Sequence, residues 1–511
     1  MRRLMLAATA ITLSYSAPSQ AQGDPRLVNI EAQIRSLQNE LSRVRRDLAT
    51  RDREVRNARE SAARTPAAPT AAPAAAPSTS TSASTQPSAT PPPVPAATAS
   101  VSLPAGRPTW TSSDGRYSAS IGAQLHFDVG GYLQSDEQQP DNRNVNRLNT
   151  FGQNVRRARL PIIFRADQFQ VTVTPDFGGS PDGTPSLYEG SIAWSPNRNL
   201  SVGLGYYKPL HTLNDSTSSN NILFLERPAI VNIASSLAAG SSRATFGARY
   251  SNDRFLVAGY LTGDVYGSQS AAVTRPQSTG GVFRAAVRPF YNEDIDVHLG
   301  VSTNASFRIR RTAAGQSLQL RDRPELRVDN NRLIDTGLLN ASGAYSYGPE
   351  FAFRYDRLMV QGEYIRVGVD RDGPGPSQPG LEFEGGYVEG SYVILGQPRA
   401  YSTSSAAFGS VRLRPEQRVG QGGFGGLEAV ARYSVVNLDD RVTRGRPAAS
   451  TGGVYGGYQQ VIGVGLNWYP NENFRLMLDY DNIRVDRLNA AGTTQIGQRV
   501  QAVAVRAQAA F

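Results

Sequence analysis

The 511-residue chain has no cysteine, which excludes a disulfide scaffold and any zinc or iron–sulfur site built on thiolates. Lysine is almost absent: Lys208 stands alone among 53 basic residues, and the others are arginine. Histidine occurs three times, as His126, His211 and His298, without the spacing of a metal-ligand motif. Past the first fifteen residues no apolar run reaches the roughly 20 residues that a membrane-spanning helix needs. Mean hydropathy is −0.37, so a helical membrane protein is excluded. The glycine-rich run Gly422-Gly-Phe-Gly-Gly426 lacks the GK[ST] ending of a phosphate loop and reads as a turn. No catalytic residue, cofactor or metal is expected, and the chain is not read as an enzyme.

What is present divides the chain into four parts. Met1-Arg2-Arg3, the apolar stretch Leu4 to Leu13 and the small residues of Ser19-Gln20-Ala21 form a signal peptide over 1–21. In 22–64, Leu27, Ile30, Ile34, Leu37, Leu41, Val44 and Leu48 repeat with alternating spacings of three and four. That period predicts a short α-helical coiled coil, and isoleucine at both core positions favours more than two strands. Residues 65–100 carry no charge and are mostly Ala, Pro, Ser and Thr, which predicts a disordered linker. The remainder, 101–511, is the large domain. Of the net +10, two charges leave with the signal peptide, three belong to the helical arm and five remain on the large domain.

The large domain alternates with period two. From Tyr117 to Leu133 the odd positions are apolar or small, and the even ones are largely polar. The same alternation sets Ala158, Leu160, Ile162 and Phe164 against Arg157, Arg159 and Arg165. It returns in Phe474, Leu476, Leu478 and Tyr480 against Arg475, Asp479 and Asp481, and in the final stretch to Phe511. Strands this long, with opposed charges on one face and Trp194, Tyr206, Trp468 and Tyr469 near their ends, predict an all-β transmembrane antiparallel barrel. At about 25 residues per strand with its connections, the domain holds roughly 16 strands around a wet, polar lumen. With the N-terminal arm periplasmic, the third outer loop runs from about Pro209 to Ser242. Its apolar stretch Asn221 to Pro228 predicts that it folds inward against the wall.

Several motifs resemble the phosphate-selective porin O and P family. These are Val155-Arg-Arg-Ala-Arg-Leu160 with Thr174-Pro-Asp-Phe-Gly-Gly179, and Leu204-Gly-Tyr-Tyr-Lys-Pro209 with Glu226-Arg227. Further along come Tyr347-Gly-Pro-Glu350, Gln361-Gly-Glu-Tyr-Ile-Arg366, Gly386-Tyr-Val-Glu-Gly-Ser-Tyr392, Ala431-Arg-Tyr433, Gly465-Leu-Asn-Trp-Tyr469 and Phe474-Arg-Leu-Met-Leu478. The resemblance covers nearly all of 105–511. It implies a homotrimeric porin of the bacterial outer membrane that passes anions, phosphate or pyrophosphate in the best-known members.

Parity places Arg157, Arg159, Arg243, Arg249, Arg284, Arg288, Arg354, Arg432, Arg475 and Arg506 on the lumen side as candidate anion-steering residues. Asp128, Asp176, Glu189, Glu350, Glu363, Asp479 and Asp481 share that side, so structural pairing competes with steering for each arginine. Lys208, His211, Glu226 and Arg227 are the constriction-loop candidates. A single lysine rules out a lysine cluster, although arginine binds phosphate bidentately.

Two function classes follow. The first is an anion-leaning passive diffusion channel, with outer-membrane lipid and small anions such as phosphate as partners. The second is an envelope tether around a general pore, in which residues 22–64 bind peptidoglycan or another periplasmic partner. Nucleic acid is not an expected partner, because the arginine is distributed along the wall.

Overall fold

A computed structural model of the protein describes residues 98–133, 148, 151–179, 185–240, 242–265, 278–310, 318–372 and 378–511. The expected signal peptide, the heptad helix and nearly all of the linker lie outside the described residues.

Two short strands, β1 (Ser100–Ser102) and β2 (Thr109–Thr111), lead into the barrel wall. The first stave is β3 (Tyr117–Ile121) and β4 (Gln124–Leu133), interrupted at Gly122-Ala123 without a change of face. The second is β5 (Gly152–Arg159) and β6 (Ile162–Ala166), interrupted at Leu160-Pro161, where proline brings no N–H to the ladder. The next are β7 (Phe169–Asp176), β8 (Ser186–Trp194), β9 (Leu200–Tyr207), β10 (Arg243–Ser251), β11 (Phe255–Val265), β12 (Thr279–Tyr291) and β13 (Ile295–Arg308). After a small hairpin, β14 (Arg321–Asp322) and β15 (Ile334–Asp335), come β16 (Ala341–Tyr355), β17 (Leu358–Arg371) and β18 (Leu381–Leu395). A second small hairpin, β19 (Tyr401–Ser402) and β20 (Ala407–Phe408), precedes β21 (Gly426–Asp440), β22 (Val454–Tyr469), β23 (Phe474–Asp486) and β24 (Arg499–Ala510). β24 pairs with β4 from Gln501 opposite Leu133 to Ala510 opposite Gln124, which closes the sheet. With each interrupted stave counted once, the barrel is antiparallel and has 16 strands.

Period-two alternation sorts the two faces. Outward side chains such as Leu204, Leu261, Ile462 and Phe246 are more than half exposed, whereas inward Arg284, Arg506, His126 and His298 are fully covered. A continuous apolar band of this extent has no stable place in water, and a closed barrel leaves no strand edge unpaired in lipid.

Local chemistry makes the turns at the end where β4 begins and β24 finishes. Asp167 and Asp356 take the left-handed conformation (φ 49° and 45°) in two-residue connections, a geometry that short polar residues tolerate. Asn197, Asn252, Asn292 and Asn471 each accept two backbone N–H bonds with the side-chain oxygen, closing the connections before β9, β11, β13 and β23.

Three connecting segments fill much of the interior. The connection after β9 (the third loop) carries α1 (Leu213–Ser216) and α2 (Ala229–Ala238), and α2 is buried on nearly every side. Its Ile230, Val231 and Ile233 join Leu320, Leu326 and Ile334 from the connection after β13. Inward Val367, Phe383, Val436, Ile483 and Val500 of the wall complete that core. A uniformly polar lumen is therefore corrected: towards the loop end, the β17–β24 side of the interior is a hydrophobic core. Helix α2 leaves only Asn232 and Ser236 uncovered, and a helix that is apolar over the rest of its surface is stable only when enclosed. The third segment, 396–425, enters from the turn end and buries Arg399, Ala406, Phe408, Val411 and Leu413.

Candidate functional site

A β-bulge prepares the site. His126 of β4 stands opposite Arg157 of β5, but the next residue, Phe127, stands opposite Val155. Arg156 is the extra residue, and the bulge turns both arginines away from lipid. The side chain of Arg156 is 18% exposed, and its Nε donates to Glu226 of the third loop at 2.5 Å. Strict parity places Arg157 inside and overlooks Arg156; the doublet Arg156-Arg157 in an alternating strand is the signal that marks it. Gly178 covers the bulge so closely that a Cβ there would lie 2.6 Å from the Arg157 Cα.

Arg157, Arg159, Lys208 and Arg227 come together around one cavity of about 350 Å³. Tyr188, Tyr207 and the hydroxyl run Ser216 to Ser219 complete its wall, with Glu189 and Asp215 as its acids. Arg157 is 4% exposed and approaches His126 Nδ1 at 3.1 Å. Arg159 donates to Asp176 at 2.7 Å and stacks 3.4 Å over the Tyr188 ring. Lys208 pairs with Asp215 at 2.5 Å, while Arg227 donates to the carbonyls of Asn214 and Thr217 at 3.0 and 2.6 Å. Burial pulls the Lys208 ammonium down to about 8 against the opposing effect of Asp215. His211 is drawn down to about 4, mainly by burial, and so is neutral near pH 7; its Nδ1 lies 3.1 Å from Ser235 Oγ.

Arg156, on the far side of the bulge, borders a second cavity of about 480 Å³ with Arg323 and Arg327. Neither loop arginine was a candidate from parity, which speaks only of strands. Glu226 stands between the two cavities. Its carboxylate receives Arg156, Arg327 at 3.1 Å and Arg506 at 3.4 Å. Burial would raise the Glu226 carboxyl, but Arg156 and Arg327 hold it well below the ordinary range.

Most of the remaining wall arginines grip the inserted segments. Arg506 is bidentate to Asp128 and donates to the Leu225 carbonyl at 2.6 Å. Arg475 donates to the carbonyls of Asn220, Ile222 and Leu223. Arg432 pairs with Glu325 at 2.6 Å and lies 4.3 Å from the Phe224 ring centre. Arg243 reaches the carbonyls of Ser236 and Leu237 in the last turn of α2. At the turn end Arg284 binds Glu350 and the carbonyls of Ser405 and Ala406, and Arg249 binds that of Ser404. Arg288 is bidentate to Asp296, and Arg354 lies 3.9 Å from the same carboxylate. Arg399, which parity could not reach, pairs with Glu428 and donates to the Asn221 carbonyl at 2.8 Å, joining segment 396–425 to the third loop.

Residues 127–511 match the family described as phosphate-selective porin O and P. A protein of Caulobacter vibrioides is 29% identical over 286 residues, 55% of this chain and 52% of that one, so the chain spans about half the length of this curated relative. Similar solved structures include the outer membrane channel DcaP of Acinetobacter baumannii (11% identity, TM-score 0.45, 77% of this chain and 97% of that one). An anion-selective porin of Comamonas acidovorans gives 13% identity and TM-score 0.45 over 77% and 100% of the two chains. The trimer form of Vibrio cholerae OmpT gives 9%, 0.44, 77% and 99%. With a closed barrel, an apolar outer face and a family match over most of its length, the chain is an outer-membrane β-barrel and belongs to the phosphate-selective porin O and P family.

Proposed function

We propose that the protein is a passive channel for small anions, phosphate-sized oxyanions among them, with a bore set by the third loop. The observation that carries this reading is the grouping of Arg157, Arg159, Arg227 and Lys208 around one cavity against only Glu189 and Asp215. With Asp176 paired to Arg159, four cations face three carboxylates in a low-dielectric enclosure, and the excess raises the local anion concentration and repels cations. Arg156, Arg323 and Arg327 form a second basic station, and adjacent residues of one bulge border both. Two stations favour conduction over capture, because an ion that leaves one site finds another. Much of the arginine charge is already neutralised: Arg159 by Asp176, Arg284 by Glu350, Arg432 by Glu325 and Arg506 by Asp128. The cavity is thus mildly rather than intensely positive, as suits passage of an ion.

The test is the reversal potential of the purified full chain in planar bilayers across a KCl gradient. An anion-selective sign is expected, and a clear cation preference refutes the proposal. Phosphate added to chloride solution reduces the chloride current if the basic stations hold it; an unaffected current makes the pore general for small anions.

A further inference from the structure

Charge appears on the lipid-facing wall at Arg484, Asp486 and Arg499 of β23 and β24, and in one compact group across β16 to β21. Strand pairing aligns Tyr347, Arg366, Glu384 and Asn437 across β16, β17, β18 and β21, all on the outward face. One rung nearer the loop end, Tyr345 pairs with Gly368 and Gly368 with Glu382. The Arg366 and Glu384 side chains are 52% and 48% exposed, and their charges lie 3.8 Å apart. Tyr364 donates to Glu384 and receives Arg366 Nε at 3.2 Å, so the group is held in one geometry. Together these side chains enclose a niche of about 190 Å³.

The next two rungs towards the turn end are apolar. Tyr364, Gly386 and Val435 pair in one, beside Pro349, and Phe351, Gly362, Val388 and Tyr433 pair in the other. The two glycines and the proline lower the wall between the Phe351, Tyr364 and Tyr433 rings, leaving a trough of about 450 Å³. A polar niche with an apolar trough on the neighbouring rungs, on a face turned to lipid, matches a molecule with a charged head and an acyl tail.

We propose that this face binds one lipid whose head carries a phosphate and a protonated amine. The phosphate meets Arg366, the ammonium meets Glu382 and Glu384, and one chain lies in the Pro349–Gly386–Val388 trough. Charge decides the class. One arginine against two carboxylates repels a head that is only anionic and complements a zwitterionic one. Depth agrees: charged side chains cost about 2–4 kcal/mol at the bilayer midplane and about 0–1 near its surface, where tyrosine also collects.

Native mass spectrometry of the detergent-purified full chain, exchanged in turn with phosphatidylethanolamine, phosphatidylglycerol and lipopolysaccharide, tests the proposal. One retained phosphatidylethanolamine per chain is expected. Arg366→Gln, the pair Glu382→Gln/Glu384→Gln, or Val388→Trp in the trough should each weaken retention about tenfold, the effect of losing one charge-assisted contact or blocking the tail. Their planar-bilayer conductance stays at the wild-type value, because these side chains face away from the lumen, and that result certifies folding. Equal retention by wild type and Arg366→Gln overturns the proposal. So does tighter holding of phosphatidylglycerol or lipopolysaccharide, or a disulfide between two barrels formed by Val388→Cys in membranes, which makes this face a contact between copies.

Discussion

Lys208 connects the cavity to pH. With its ammonium drawn down to about 8, it is charged at neutral pH and loses its proton in mild alkali. Anion preference therefore decreases as pH rises between about 7 and 9, each unit of displacement being worth about 1.4 kcal/mol of differential interaction. In bilayer recordings Lys208→Gln should show lower anion preference at neutral pH and no such step; a step that persists in the variant assigns it elsewhere. The charge balance at Glu226 runs the other way. Its carboxyl is held below the ordinary range, so its ion pairs are complete above that range and are lost only as pH falls through the depressed value. Parity placed Arg157 and Arg159 on the lumen side from sequence, and Lys208 stood among the constriction-loop candidates at the end of an alternating strand. Parity missed Arg156 because a bulge adds one residue to one strand, and the ladder register reveals the extra residue.

At the scale of elements, the third loop is an inserted body held by side chains from both sides. Glu226 brings three arginines to it, while Arg475 and Arg506 hold its carbonyls. Removing one partner of a buried ionic cluster typically costs about 3–5 kcal/mol, because the other charges stay buried without compensation. Glu226→Gln should therefore loosen the loop: single-channel current becomes noisier and the segment 209–242 becomes cleavable by added protease. A quiet, protease-resistant variant would show that the helix core alone holds the loop. Arg284→Met tests the segment that enters from the turn end, by releasing the Ser405 and Ala406 carbonyls. A change in open-channel current is expected, and an unchanged current separates that segment from the conduction path. The loop's inward course was legible in its apolar stretch Asn221 to Pro228. Segment 396–425 was not, because its short apolar and polar runs follow neither a helical nor a strand period.

At the scale of the molecule, the 16-strand barrel completes its own sheet, with β24 hydrogen-bonded to β4, and among the described residues its lumen is packed by its own connections. Deleting residues 22–100 should leave single-channel conductance and heat-modifiable mobility unchanged. A lost or altered conductance would make the arm part of the channel. The modest positive charge of the large domain also acquires a physical meaning. Most wall arginines are paired or bound to loop carbonyls, so in the proposed channel selectivity would rest on the few cations around the two cavities and not on the total.

Period two, strand length and the distribution of arginine determine an antiparallel lipid-facing barrel by themselves, because a side chain's face in a strand depends only on position modulo two. Which arginines border the cavities and which hold loops depends on contacts between residues tens to hundreds of positions apart, such as Arg506 with Asp128 and Arg399 with Asn221. Alternation is local, whereas neutralisation of a charge depends on the partner that the closed barrel brings to it; only the tertiary structure decides that.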